Sequence, residues 1–267
     1  TQTSSSIIRP AAFCGVIGYK PTFNLVNRAG LKFLAESLDT LGTLSRTIPD
    51  TALVVEELSG MAPTSFATVA TLKPRIGFCR TPYWSEADAP SRAALENVTR
   101  RLAAAGAKVS EIELPGEFAR LAQTQIEVSS YEFFRALTHE RTRFPQLISA
   151  SLTARIAAGG RVTREQYEEG CALAQRCRKH IADTFRDFDV LLAPSAPGEA
   201  PRGLEATGDP IFGLMWTLLL LPCLTLPCGK GPTGLPLGAQ FIGRHGDDAT
   251  LFVVAEWARR ALAPDWD

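Results

Sequence analysis

Residues 75–116, RIGFCRTPYWSEADAPSRAALENVTRRLAAAGAKVSEIELPG, change their hydrophobic period twice. Arg75-Ile76-Gly77-Phe78-Cys79 is a short apolar run followed by turn-rich residues from Thr81 to Pro90, which reads as a strand. From Ser91 to Ala105 the apolar residues Ala94, Leu95, Val98, Leu102 and Ala105 recur at three- and four-residue steps, and Gly106 ends the helix they define. In Val109 to Leu114, Val109, Ile112 and Leu114 are apolar while Glu111 and Glu113 are polar, a strand stopped by Pro115-Gly116. Strand, helix and strand in this order form a βαβ-type unit. The fold class is therefore α/β, an α/β/α arrangement with a central mixed sheet flanked by helices.

The flanking segments extend this pattern. Upstream, Pro49 to Gly60 has helical spacing with proline in the first turn and glycine past the end, and 61–74 reads as a loop. Downstream, Glu117 to Arg143 reads as one long helix whose charged residues, Glu127, Glu132, Arg135, Glu140 and Arg141, form a solvated face. A second helix spans about Thr163 to Phe185, with Thr163 and Gln166 in the relation of a capping box. Phe188 to Pro194 reads as a buried strand and 194–210 as a Pro- and Gly-rich loop. Ile211 to Leu226, IFGLMWTLLLLPCLTL, is the most apolar run, but a bilayer needs about 20 uninterrupted apolar residues, and Pro210, Pro222 and Pro227 break this one. It reads as a buried helix and a buried strand. A turn at 229–234, a strand over Pro236 to Gly243 and a helix over Asp247 to Leu262 complete the chain, and nothing resembling a linker or repeat divides residues 1–267, read as a single domain.

Lys+Arg and Asp+Glu both number 28, so the formal charge is zero and nothing in it favours a nucleic-acid partner. The six cysteines include no C-x-x-C pair, which argues against a zinc ribbon, and they suit reduced thiols in a cytoplasmic protein. Cys14 is read as a small packing residue. His139, His180 and His245 are isolated, and none accompanies a G-x-S-x-G elbow.

The chemistry concentrates in the first forty residues. Ser4, Ser5 and Ser6 run into Ile7-Ile8-Arg9-Pro10, followed by small residues and glycines. Such a run lets backbone N–H groups approach a ligand, and a serine at its edge suits a nucleophile with an oxyanion site beside it. S-I-I-R-P-A-A-F-C-G-V-I-G-Y-K-P-T from Ser6, N-R-A-G at Asn27 to Gly30 and S-L-D-T-L-G at Ser37 to Gly42 together resemble the second half of the signature block of the amidase signature family. The likeness continues in F-D-V-L-L-x-P at Phe188 to Pro194 and in L-P-x-G-x-Q-x-x-G-x-x-x-x-D at Leu235 to Asp248.

The resemblance implies a serine hydrolase of small-molecule amides with a Ser–Ser–Lys triad. It places the nucleophile at Ser6, the oxyanion hole at the backbone of Thr3, Ser4, Ser5 and Ser6, and walls of the acyl pocket at Phe212 and Trp216. It implies neither metal nor organic cofactor; the broken apolar run argues against a membrane partner, and a homodimer is compatible with the sequence. The bridging serine and the lysine base precede this block in the family, so the chain reads as a C-terminal part, and residues 1–267 alone are expected to lack the base. Lys20 and Lys32 map onto the K-P-T segment and a variable position, not onto that base. Ser4-Ser5 stands where the family has Gly-Gly or Ala-Gly, which predicts a narrowed or strained loop. Leu220-Leu221 stands where a glycine often precedes the proline. Arg9 and Asp39 are read as braces of the loop. The amidase-like component of a tRNA-dependent amidotransferase, working only with partner subunits, and a catalytically silent descendant are the alternative readings.

Overall fold

A computed structural model describes residues 1–262. Strands β1 (Ile17–Lys20), β2 (Thr43–Ser45), β3 (Arg75–Cys79), β4 (Lys108–Ile112), β5 (Val190–Pro194), β6 (Cys223–Lys230) and β7 (Pro236–Gly243) form one sheet in the order β2-β1-β6-β7-β5-β3-β4. It is mixed: β3 runs parallel to β4 and β5, and the remaining pairs are antiparallel. The expected βαβ unit is present, with α3 (Ala89–Ala104) crossing from β3 to β4 and capped by the Asp88 side chain.

Two apolar layers cover the sheet because successive strand residues point to opposite faces. In β5, Val190 and Leu192 enter one core with α3, α2 (Ile48–Ser59) and α9 (Asp248–Leu262), while Leu191 and Ala193 enter the other. That second core is built by α4 (Leu121–Ala136), α7 (Arg164–Thr184) and α8 (Ile211–Leu218). Thr47 and Gly60 end α2 as its composition requires, the threonine accepting from the Asp50 N–H and the glycine adopting φ 72°. The capping box of α7 forms with both of its hydrogen bonds, Gln166 N–H to Thr163 Oγ1 at 3.1 Å and Thr163 N–H to Gln166 Oε1 at 2.9 Å.

Three expectations change. The long helix of 117–143 is divided into a 3₁₀ turn over Gly116–Arg120, α4, and a short α5 (Thr138–Arg143). A helix that the sequence pattern does not announce, α6 (Ala150–Arg161), lies on α4, with Gly159 against the Ser130 carbonyl and Gly160 against the Phe134 ring, where a side chain would clash. Residues 61–74 contain a 3₁₀ turn at Val69–Thr71, whose buried Val69 anchors it to the core. Among the described residues no helix is long and apolar enough to cross a membrane.

Candidate active site

The serine loop, residues 3–6, leads into α1 (Ile8–Cys14), which packs on β1, β6 and β7. Its entrance is set by Gln2, whose backbone pairs with Thr40 in both directions (2.8 and 2.9 Å). The Gln2 side chain, itself buried, accepts from Ile7 N–H at 2.9 Å and Ile8 N–H at 3.2 Å through Oε1. Those are first-turn donors of α1 that the helix cannot satisfy internally. Asp39 braces the loop from the other side: one carboxylate oxygen accepts from the Thr3 hydroxyl, the other from Leu34 N–H (2.7 Å) and Ala35 N–H (3.2 Å). Arg9 donates to Thr207 Oγ1 at 3.0 Å, tying α1 to the 194–210 loop. Burial lowers the Arg9 guanidinium below its ordinary value, and Asp209 partly offsets this.

Ser6 is exposed, and its hydroxyl makes no hydrogen bond among the described residues. Nor do the backbone N–H groups of Thr3, Ser4, Ser5 and Ser6 donate to any described residue. Ser5 is buried, its Oγ unpartnered, and it faces Gly213 of α8. The expected left-handed strain does not appear: among the described residues the non-glycine positions with positive φ are Asn24, Thr81 and Leu220, so Ser4 and Ser5 do not need the backbone region that favours glycine. Gly213 makes room for the Ser5 side chain. The strain lies instead at Leu220, φ 64°, at the site where the resemblance expects glycine.

Among the described residues no side-chain base bonds to Ser6. Lys20 is wholly buried, and its ammonium donates to the Pro21 carbonyl at 2.8 Å. Burial lowers its pKa, opposed by Cys223 and Asp248. Lys32 pairs with Glu140 at 3.0 Å. His139 and His180 lie edge-on to Phe144 and Phe118, and burial lowers the pKa of His245. Phe212 and Trp216 are buried, Trp216 in the core between the sheet and α4, α7 and α8, with its indole N–H unpartnered. A cleft of about 810 Å³, lined by Phe23, Arg28, Phe33, Tyr131, Arg135 and Tyr167, includes neither of them nor the serine loop. Cys14 is exposed rather than packed, since it ends α1 on its outer side. Among the described residues no cluster of His, Cys, Asp and Glu suits a metal ion.

The family model described as Amidase matches residues 1–252. The chain belongs to the amidase family. Its relatives include a glutamyl-tRNA(Gln) amidotransferase subunit of Granulibacter bethesdensis, 30% identical over 98% of this chain and 61% of the relative, and the corresponding protein of Thermosynechococcus vestitus, 32% identical over 96% and 62%. The chain thus spans about three fifths of the length of the curated relatives it matches. Among solved structures, an amidase superposes with a TM-score of 0.88 at 26% identity, covering 98% of this chain and 62% of that one. The native peptide amidase from Stenotrophomonas maltophilia, at 24% identity and a TM-score of 0.78, shares the fold, over 98% of this chain and 61% of that one.

Within this amidase chain, two residues beside the loop carry no motif that marks them in the sequence. Gln125 of α4 donates through Nε2 to the Thr3 carbonyl at 2.7 Å and lies 3.4 Å from Ser4 Oγ. Thr217 of α8 donates to the Ser4 carbonyl at 2.7 Å and accepts from Gln2 Nε2 at 3.0 Å. Each has a fainter signal: Gln125 falls on the buried face shared by Leu121 and Val128, and Thr217 interrupts an otherwise apolar run.

Glu132 also departs from its expected role on a solvated face. It accepts from Ser37 N–H (3.0 Å), Ser37 Oγ (2.6 Å) and Tyr167 Oη (2.9 Å), pinning the 33–39 segment to α4 and α7.

Proposed function

We propose that this chain carries the nucleophile of an amide hydrolase. Ser6 Oγ attacks the carbonyl carbon of a carboxylic amide while a base takes its proton; the base is the lysine that the family resemblance places ahead of this block. The backbone N–H groups of the Thr3–Ser6 loop hold the negative charge that develops on the carbonyl oxygen, an effect worth roughly 3–4 kcal/mol per donor. The C–N bond then breaks, ammonia or an amine departs with a proton, and water hydrolyses the Ser6 ester to release the acid. The observation carrying this reading is an exposed serine hydroxyl following a row of backbone donors that no described residue uses. Side chains and backbone supply the reaction, with no cofactor invoked.

The test is fluorophosphonate labelling of the full-length protein with peptide mapping, alongside ammonia release from simple carboxamides. Wild type is expected to be labelled at Ser6 and to release ammonia, and Ser6→Ala to do neither. Absence of labelling in the full-length protein, or its persistence in Ser6→Ala, would overturn the assignment. A second reading, one component of a tRNA-dependent amidotransferase, is favoured by the names of the relatives. It predicts that the protein copurifies with partner subunits and that its activity depends on them, whereas the hydrolase reading predicts amide cleavage by the isolated polypeptide.

A further inference from the structure

A trans peptide directs its C=O and the following N–H to opposite sides, so a fixed carbonyl also aims the next donor. All peptide bonds of the described residues are trans. In the serine loop the Thr3 carbonyl is held by Gln125 Nε2 at 2.7 Å and the Ser4 carbonyl by Thr217 Oγ1 at 2.7 Å. The two anchors sit on α4 and α8, which pack against each other, so both carbonyls turn toward that interface. The N–H groups of Ser4 and Ser5 therefore point away from it, and neither meets a partner among the described residues.

The direction of the Thr217 bond is determined. Gln2 Oε1 must face the Ile7 and Ile8 N–H donors, which leaves its Nε2 to donate to Thr217 Oγ1. Having accepted there, the threonine hydroxyl sends its own proton to the Ser4 carbonyl. Gln2, Gln125 and Thr217 are each at most 1% exposed, so water does not compete for these bonds. Burying three polar side chains is costly unless they are hydrogen-bonded, and the bonds of Gln2, Gln125 and Thr217 run to this loop, to the start of α1 and to one another.

We propose that Gln125 and Thr217 are positioning residues for amide hydrolysis, holding the Thr3 and Ser4 carbonyls so that the N–H groups of Ser4 and Ser5 face the oxyanion formed at the substrate. The inference rests on the Ser6 reading above. The two side chains act on the substrate only through the backbone, so they affect the transition state and leave ground-state binding unchanged.

The experiment uses the full-length protein and four variants, Thr217→Val, Thr217→Ser, Gln125→Leu and Gln125→Met, each with its thermal midpoint recorded. Thr217→Val and the two Gln125 variants are expected to lower kcat for amide hydrolysis by roughly 10–100-fold, below the loss of a whole donor, with KM within about twofold. The rate of fluorophosphonate labelling, whose phosphoryl oxygen occupies the same donors, is expected to fall in parallel. Thr217→Ser keeps the hydroxyl and is expected to stay within about threefold of wild type.

The proposal is overturned if the folded Val and Gln125 variants keep kcat within threefold, if KM rather than kcat moves, or if Thr217→Ser is as impaired as Thr217→Val. The two anchors lie on different helices, so a variant that fails to fold leaves the other position decisive. A wild-type protein inert to both label and amide would sink the Ser6 reading itself; an active wild type with unaffected variants would sink only the positioning role.

Discussion

Gly213→Ala tests how this loop accommodates two serines. A Cβ built on Gly213 would lie closer than 3.0 Å to both Cβ and Oγ of Ser5, and at 3.0 Å from the Ser4 carbonyl oxygen. Non-bonded carbons rest at about 3.5–4.0 Å, so α8 and the loop must part by roughly 1 Å. Neither can yield easily, because Ser5 is buried and α8 is buried along most of its length. Overpacking of this kind costs about 1–3 kcal/mol. At about 2–4 °C per kcal/mol for a chain of this size, the thermal midpoint should fall by roughly 4–8 °C for a cost of about 2 kcal/mol. Under the proposed Ser6 assignment, a displacement near 1 Å beside that serine can also cost about 100-fold in rate, so its labelling should slow by a similar factor.

The double variant Ser5→Gly/Gly213→Ala separates this clash from a general effect on α8. Removing the Ser5 side chain removes the two closest contacts, and the next, to the Ser4 carbonyl oxygen, stands at 3.0 Å. Differential scanning calorimetry of wild type, both single variants and the double should give a coupling energy of at least about 1 kcal/mol. A Gly213→Ala protein that melts within about 1 °C of wild type, or a cycle that is simply additive, would refute the account of how Ser5 is housed.

Three further outcomes follow from particular contacts. Asp39→Ala leaves the Thr3 hydroxyl and the Leu34 and Ala35 N–H groups without their acceptor, and urea denaturation should show a loss of about 3 kcal/mol, with Asp39→Asn losing less. Burial holds the Cys79 thiol up at about 12, so between its ordinary value near 8.5 and that point the unfolded chain has released a proton that the folded chain keeps. Stability must therefore fall as pH rises through this window, and the slope of stability against pH measured at about 9 to 11 should be shallower in Cys79→Ala than in wild type by up to about 1.4 kcal/mol per pH unit. Cys14 is the exposed one of this chain's six cysteines, so peptide mapping should find it among the thiols that react fast with an aromatic disulfide reagent, and Cys14→Ser should remove that contribution.

Elements made by local periodicity are legible in the sequence itself. The βαβ unit of residues 75–112, the capped α7, and the division of the apolar 211–226 run into α8 and β6 all follow from spacing, caps and prolines. What is not legible is governed by contacts from elsewhere. The α6 helix carries the pair Gly159-Gly160, unfavourable for a helix on propensity, and forms where both glycines press on α4. The α1 helix and strands β1 and β2 are too short for a periodic signal, and α1 takes its first-turn bonds from the side chain of Gln2.

The site divides in the same way. Ser6 and the small residues around it stand out in the local sequence because the proposed chemistry needs a hydroxyl beside close-approaching backbone. The orientation of that backbone does not stand out, since it depends on two side chains far along the chain, Gln125 and Thr217. The doubt raised by Ser4-Ser5 has the same origin: two serines would crowd the loop if a residue other than Gly213 stood opposite Ser5. A polar residue on the buried face of a helix is nevertheless an informative exception, because its burial is unfavourable unless it has a bond to make. Gln125 and Thr217 are such exceptions in otherwise apolar settings, and both bonds end on the same four-residue loop. Packing alone does not call for these bonds, because buried apolar side chains would hold α4 against α8 without leaving Gln125 Oε1 unpartnered.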